Sequence, residues 1–166
     1  MEPAAPIGCR DMNPSKFIVP DAVLTSLRAK SKKQLLQELS VRAARLTGLA
    51  ERDIFDVLWQ RERLGSTGLG QGVAIPHGKL AGLQQIAGIF ARLSEPIDFD
   101  SVDGEKVDIV CLLLAPEGAG ADHLKALARI SRLLRDGRVV EKFRASKDAS
   151  AIYAVLTQEE ASSHAA

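Results

Sequence analysis

The chain has 166 residues, 46% of them hydrophobic and 26% charged, which suits one soluble globular domain long enough to bury a core. Lys and Arg number 22 against 21 Asp and Glu, a net charge of +1. This gives no global drive toward nucleic acid or an anionic membrane, and aromatic residues, at 4%, are too few for a base-stacking surface.

Residues 1–15, MEPAAPIGCRDMNPS, hold three prolines and no periodicity, and read as a loose tail. Ser31 followed by Gln34 resembles a capping box, opening a helix with Leu35, Leu39, Ala43 and Leu46 on one face. Gly48 ends it. A second helix, Glu51 to Leu64, is expected to bury Ile54, Val57 and Leu58 and to stop at Gly65. Strands are expected at 72–76, 86–93 and 107–115. The last, VDIVCLLLA, is an unbroken apolar run, as in a central strand covered on both faces. Asp103-Gly104 signals a turn that makes this strand and the preceding one a hairpin. A long helix from Asp122 to Arg135 follows, then shorter ones at 138–145 and 148–156, and a loose end at 158–166. The expected fold is α/β, a single domain over 16–157 with a mixed parallel and antiparallel sheet flanked by helices on both faces.

Cys9 lies in the tail and Cys111 inside the apolar run. Two such residues build neither a disulfide framework nor a zinc site, and free thiols in a reducing compartment are expected. No apolar run approaches the roughly 18 residues of a membrane span, and the N-terminus lacks a signal-peptide hydrophobic core. The expected location is the cytoplasm, with no membrane insertion.

Chemistry concentrates in RERLGSTGLGQGVAIPHGKL, Arg61 to Leu80. Gly65, Gly68, Gly70 and Gly72 give the backbone a ligand-hugging freedom. Pro76 has no amide hydrogen and is expected to end the strand, leaving His77 at a strand end, held but reachable. Arg61 falls three residues after Leu58 and seven after Ile54, on the inward stripe of its helix. His123 falls four before Leu127 and seven before Ile130, also inward and in a helix first turn, where free amides favour an anion. Each alone also fits a structural role: a satisfied histidine, a snorkelling arginine, a capping histidine. Together they suit phosphoryl transfer. A neutral imidazole is a competent nucleophile at physiological pH, a guanidinium binds phosphoryl oxygens in planar pairs, and His123 and the loop amides supply further donors. Histidine-to-histidine exchange needs no metal and no cofactor.

A nucleotide-binding reading of GSTGLGQG fails on spacing. A phosphate-binding P-loop follows a strand, precedes a helix and carries Gly-Lys-Ser/Thr, whereas this loop follows a helix and precedes a strand. Ser66 and Thr67 are expected to order the loop through side-chain to backbone bonds. Lys79 would add positive potential.

The same segment resembles the enzyme IIA proteins of the bacterial phosphoenolpyruvate:sugar phosphotransferase system, fructose/mannitol type, in their nitrogen-regulatory branch. The likeness continues through PIDFDSVDGEKVDIVCLLLAP and GAGADHLKALARISRLL, covering about residues 16–157. It implies that His77 is the phospho-acceptor, that Arg61 and His123 flank it, and that the donor is a small HPr-type histidine phosphocarrier. It also implies regulatory target proteins, among them potassium-transport or nitrogen-related ones. Gly78 and the lack of a fused IIB or IIC segment favour the nitrogen branch. The alternatives are a sugar-specific IIA component passing phosphate to a IIB protein, and a binding module whose His77 is unreactive.

Overall fold

The strand at the centre, β6 (Val107–Pro116), is covered on both faces: Ile109 to Ala115 are each no more than 1% exposed. The uninterrupted apolar run explains this, since a strand without alternation can only lie between two layers. The computed structural model describes residues 12–158. Around β6 they build a six-stranded mixed sheet with helices on both faces, as expected from the sequence. β5 (Ala87–Ile97) runs antiparallel to β6, placing Phe90 opposite Cys111, and β1 (Val23–Leu27) lies parallel beyond it. The other edge of β6 carries β3 (Val73–Ala74) and β4 (His77–Leu80), both parallel to it, with β2 (Gly68–Gly70) antiparallel to β3.

Helix α1 (Lys32–Thr47) packs on α2 (Glu51–Leu64), which lies against β4. α3 (Ala121–Arg135) and α4 (Gly137–Ala145) lie against β6, and α5 (Ala149–Thr157) packs on β1. The capping box at α1 is present in a shifted form. Ser31 accepts from the Gln34 amide, while Gln34 Oε1 accepts from the Lys30 amide at 2.7 Å. Gly48 ends the helix in the left-handed region at φ 75°.

Several expectations need correction. Strand β3 stops before Pro76 and His77 stands at a strand end, as expected, but pairing with β6 resumes at His77. Val73 pairs with Ile109 and His77 with Leu113, a constant offset, so the two strands follow one track with a break at Ile75 and Pro76, where Pro76 lacks an N–H. The Pro76 carbonyl still accepts from the Leu113 amide at 2.9 Å, and His77 opens the second half of the track. Leu46 is 43% exposed, while Leu36 and Ser40 are buried in its place. Val57 is only half-buried. Strand β1 had no sequence signal, because VLTSL shows no clean alternation and is partly exposed along its middle. The expected tail is too long by its last four residues. Met12 is 6% exposed, Pro14 is buried, and Asn13 Nδ2 donates to the Thr157 carbonyl at 2.9 Å, fastening the segment to α5. The rest of that tail, Cys9 with it, and residues 159–166 lie outside the described residues. Cys111 is a free, fully buried thiol whose pKa burial pushes up to about 12, making it unreactive.

The seam between α2 and β4 is close because residue 78 has no side chain. A Cβ there would stand 2.4 Å from Val57 Cγ1, and a β-branched helical residue has little rotamer freedom to move aside. Gly78→Ala is therefore expected to lower stability by about 1–3 kcal/mol through overpacking, read as a lower urea midpoint. An unchanged midpoint would show that α2 rides freely over β4.

Candidate active site

The three residues expected to act together line one surface depression of about 730 Å³, with Arg63, Leu64, Gly78 and Lys79 among its other walls. Each arrives from a different element: Arg61 from the last turn of α2, His77 from the start of β4, and His123 from the first turn of α3.

His77 is half-buried, and its Nδ1 lies 2.8 Å from the carbonyl oxygen of Ile75. A carbonyl can only accept, so Nδ1 carries the proton. In the neutral ring the lone pair is then on Nε2. Burial, the largest influence, lowers the His77 pKa below its ordinary value, and the Arg61 charge lowers it further. The bond to Ile75 and the Glu62 charge oppose this without reversing it. The ring is accordingly neutral at physiological pH.

His123 is 6% exposed, with its ring centroid 5.9 Å from that of His77 and the two planes tilted by 46°. Its pKa is also lowered, first by burial and then by His77 and Lys79. Its Nδ1 is buried without a hydrogen-bond partner, which leaves donor or acceptor capacity unused on this ring. Helix α3 starts at Gly120 with no side-chain cap, and Asp122 is the acidic residue of its first turn. Arg61 is half-buried, and its Nη1 donates to the Gly65 carbonyl at 2.9 Å. It neither snorkels away nor takes a carboxylate partner among the described residues.

The glycine loop plays another part than expected. The Thr67, Gly68 and Gln71 amides are engaged by Glu62, Ser66 and Asp103 respectively. Arg144, itself paired with Asp108 at 3.0 Å, donates to the Gln71 carbonyl at 2.9 Å. The loop is thus fastened, with these amides committed to holding its own shape. Ser66 does order it as anticipated, donating to the Phe99 carbonyl and accepting from Gly68.

Glu62 is the residue that sequence reasoning missed. It is only 5% exposed, and it accepts from the Thr67 amide at 2.8 Å and from the Thr67 hydroxyl. It also pairs with Lys32 at 3.2 Å. The available signal was its spacing: Glu62 follows Ile54 and Leu58 at four-residue intervals, the centre of the buried stripe.

Residues 16–159 match the family described as "Phosphoenolpyruvate-dependent sugar phosphotransferase system, EIIA 2". The chain belongs to this family. EIIA 2 proteins are phosphotransferases working through a phosphohistidine, some with a regulatory role. A nitrogen regulatory protein of Bradyrhizobium diazoefficiens is 64% identical over 140 residues, 84% of this chain and 92% of the relative. A nitrogen regulatory protein of Pseudomonas aeruginosa is 37% identical over 142 residues, 85% and 92% of the two chains. The crystal structure of the nitrogen regulatory protein IIA-Ntr from Neisseria meningitidis superposes with a TM-score of 0.82 at 37% identity, over 86% of this chain and 97% of that one. Within the EIIA 2 family, the likeness to nitrogen regulatory proteins therefore extends along nearly the whole described chain. Among the described residues no helix is long and apolar enough to cross a membrane.

Both imidazoles resist protonation in the fold, whereas in the unfolded chain they titrate near 6.5. The unfolded state then binds more protons as pH falls through about 6.5, so these two groups make stability decline below that pH. Ring-proton NMR of the folded protein should place both midpoints below 6.5. A midpoint at or above that value for His77 would contradict a neutral nucleophile held by burial.

Proposed function

We propose that the chain is a phosphocarrier with regulatory output in the nitrogen phosphotransferase system, and that His77 is its phospho-acceptor. The observation that carries this reading is the imidazole whose Nδ1 is tied to Ile75 at 2.8 Å, in one depression with Arg61 and His123. The donor is a phosphohistidine on a small HPr-type carrier, charged ultimately from phosphoenolpyruvate. The Nε2 lone pair of His77 attacks phosphorus as the carrier's N–P bond breaks, and the electron pair of that bond returns to the carrier's ring. The Nδ1 proton stays on His77, shared with the Ile75 carbonyl, and spreads the positive charge that phosphorylation brings to the ring.

Charge on the transferring group's three equatorial oxygens requires stabilisation by preset donors. Arg61 can leave the neutral Gly65 carbonyl for these oxygens, since a guanidinium forms paired, charge-assisted hydrogen bonds with phosphoryl oxygens. The His123 ring, with its centroid 5.9 Å from that of His77, supplies a second contact. Replacing the neutral ring by a phosphorylated one changes the charge of the depression and therefore what docks there. That change gives regulation of target proteins, nitrogen-related or potassium-transporting, by phosphorylation state. Phosphoenolpyruvate supply places the reaction in the cytoplasm.

Incubation with phosphoenolpyruvate and competent upstream carriers should add one acid-labile phosphate, detected by mass spectrometry and lost in His77→Ala. No gain with competent carriers would favour a binding module instead. Arg61→Ala should slow transfer by about 10²-fold, the usual loss when one transition-state donor is removed, with an unchanged unfolding midpoint. Wild-type kinetics in that variant would remove Arg61 from the mechanism. His123→Ala should impair transfer more than stability. The reverse pattern would make it a packing residue.

A further inference from the structure

The carboxylate of Glu62 is nearly inaccessible, yet it is fully engaged. It holds the amide and the hydroxyl of Thr67 and pairs with Lys32, whose side chain is 13% exposed. What lies beyond Thr67 gives this arrangement a purpose. The Thr67 carbonyl accepts from the Ile75 amide at 3.0 Å, and the Ile75 carbonyl accepts from His77 Nδ1 at 2.8 Å. A continuous run of hydrogen bonds therefore joins the last turn of α2 to the reactive imidazole. Lys32 anchors the other end. It also reaches Asp100 at 3.3 Å and lies over the Phe99 ring at 4.9 Å, bringing the loop after β5 into the same mount.

The next residue back is Arg61. Adjacent residues on a helix point about 100° apart, so one turn presents the guanidinium to the depression and the carboxylate to the interior. We propose that Glu62 is a positioning residue for phosphoryl transfer: acting through Thr67 and Ile75, with Lys32 as its counter-ion, it fixes the orientation of the His77 ring relative to Arg61. The assignment rests on the phosphocarrier reading for its consequence but on geometry alone for its contacts. A plain stabilising ion pair would not do the same. Buried pairs contribute little net stability and can be exchanged for apolar residues of similar volume at small cost. Misplacing a reacting group by an ångström can cost about 10²-fold in rate.

That contrast gives the test. In the full chain, the double variant Lys32→Met with Glu62→Met removes both charges together and keeps the volume. Three readouts are compared with wild type: the urea midpoint, kcat and KM for phosphoryl transfer from the charged carrier, and solvent exchange of the His77 Nδ1 proton by NMR in the unphosphorylated protein. The expected result is a folded protein with a midpoint lowered by the orphaned Thr67 amide and hydroxyl, a near-wild-type KM, a kcat lower by about 10–100-fold, and a markedly faster-exchanging Nδ1 proton. Glu62→Gln keeps an oxygen acceptor for Thr67 and should recover most of the rate and the slow exchange. A folded double variant with wild-type kcat and unchanged exchange would overturn the proposal. Should the double variant not fold, Thr67→Val, which removes only the hydroxyl contact, decides: partial losses in kcat and exchange are expected, and none in either would overturn it. If wild type takes no phosphate from competent carriers, the phosphocarrier reading falls. The exchange measurement still decides whether Glu62 orients the ring.

Discussion

The hydrogen bond from His77 Nδ1 to the Ile75 carbonyl is the contact on which the proposed role of this strand residue as a nucleophile depends. It determines which nitrogen keeps the proton, and so which nitrogen holds the lone pair. The bond spans only two residues, and an extended backbone alone does not provide it, because successive side chains alternate between faces. It depends on the interruption at Pro76. The missing amide there loosens one rung of the pairing with β6, while the constant register on either side holds the track in place. The buried strand β6 is thus the rigid reference, and the local break is where the imidazole can turn back on its own chain.

Burial and charge act on this ring in opposite senses, and their balance matters for chemistry. Glu62 and the Ile75 carbonyl favour an imidazolium, while burial and Arg61 oppose it, and burial is the largest influence. A protonated ring would have no lone pair to offer, so the half-buried position of His77 suits the role proposed for it. A more deeply buried ring could not meet a carrier, and a fully exposed one would titrate near 6.5 and be partly charged at neutral pH. Three cations, Arg61, Arg63 and Lys79, line the depression and favour an anionic phosphoryl group there.

Much of this arrangement was legible in the sequence, for local reasons. Arg61 and His123 stand out because the 3.6-residue period places them on inward stripes, and His77 because Pro76 and the glycines punctuate the chain around it. The apolar run of β6 announced a central strand. What escaped reading depended on contacts distant in sequence. Glu62 sits on the same stripe as Ile54 and Leu58, but a lone carboxylate there makes sense only once Lys32 from α1 and Thr67 from the loop close around it. Continuation past Pro76 needed the partner strand β6 to supply the pairing. Met12 reads as tail until α5, at the other end of the chain, is seen to pack against its segment. The glycine loop was expected to lend amides to a phosphoryl group, yet Glu62, Ser66, Asp103 and Arg144 engage its Thr67, Gly68 and Gln71 amides and the Gln71 carbonyl.

The proposed transfer turns on which ring nitrogen of His77 is free to react. Phosphorus–nitrogen correlation NMR on the 15N-labelled phosphoprotein reads this directly. Phosphorus coupled to Nε2, with Nδ1 still bearing its proton, is the expected result. Coupling to Nδ1 would mean that the contact with Ile75 breaks before transfer, and the structural basis proposed for the nucleophile would be wrong.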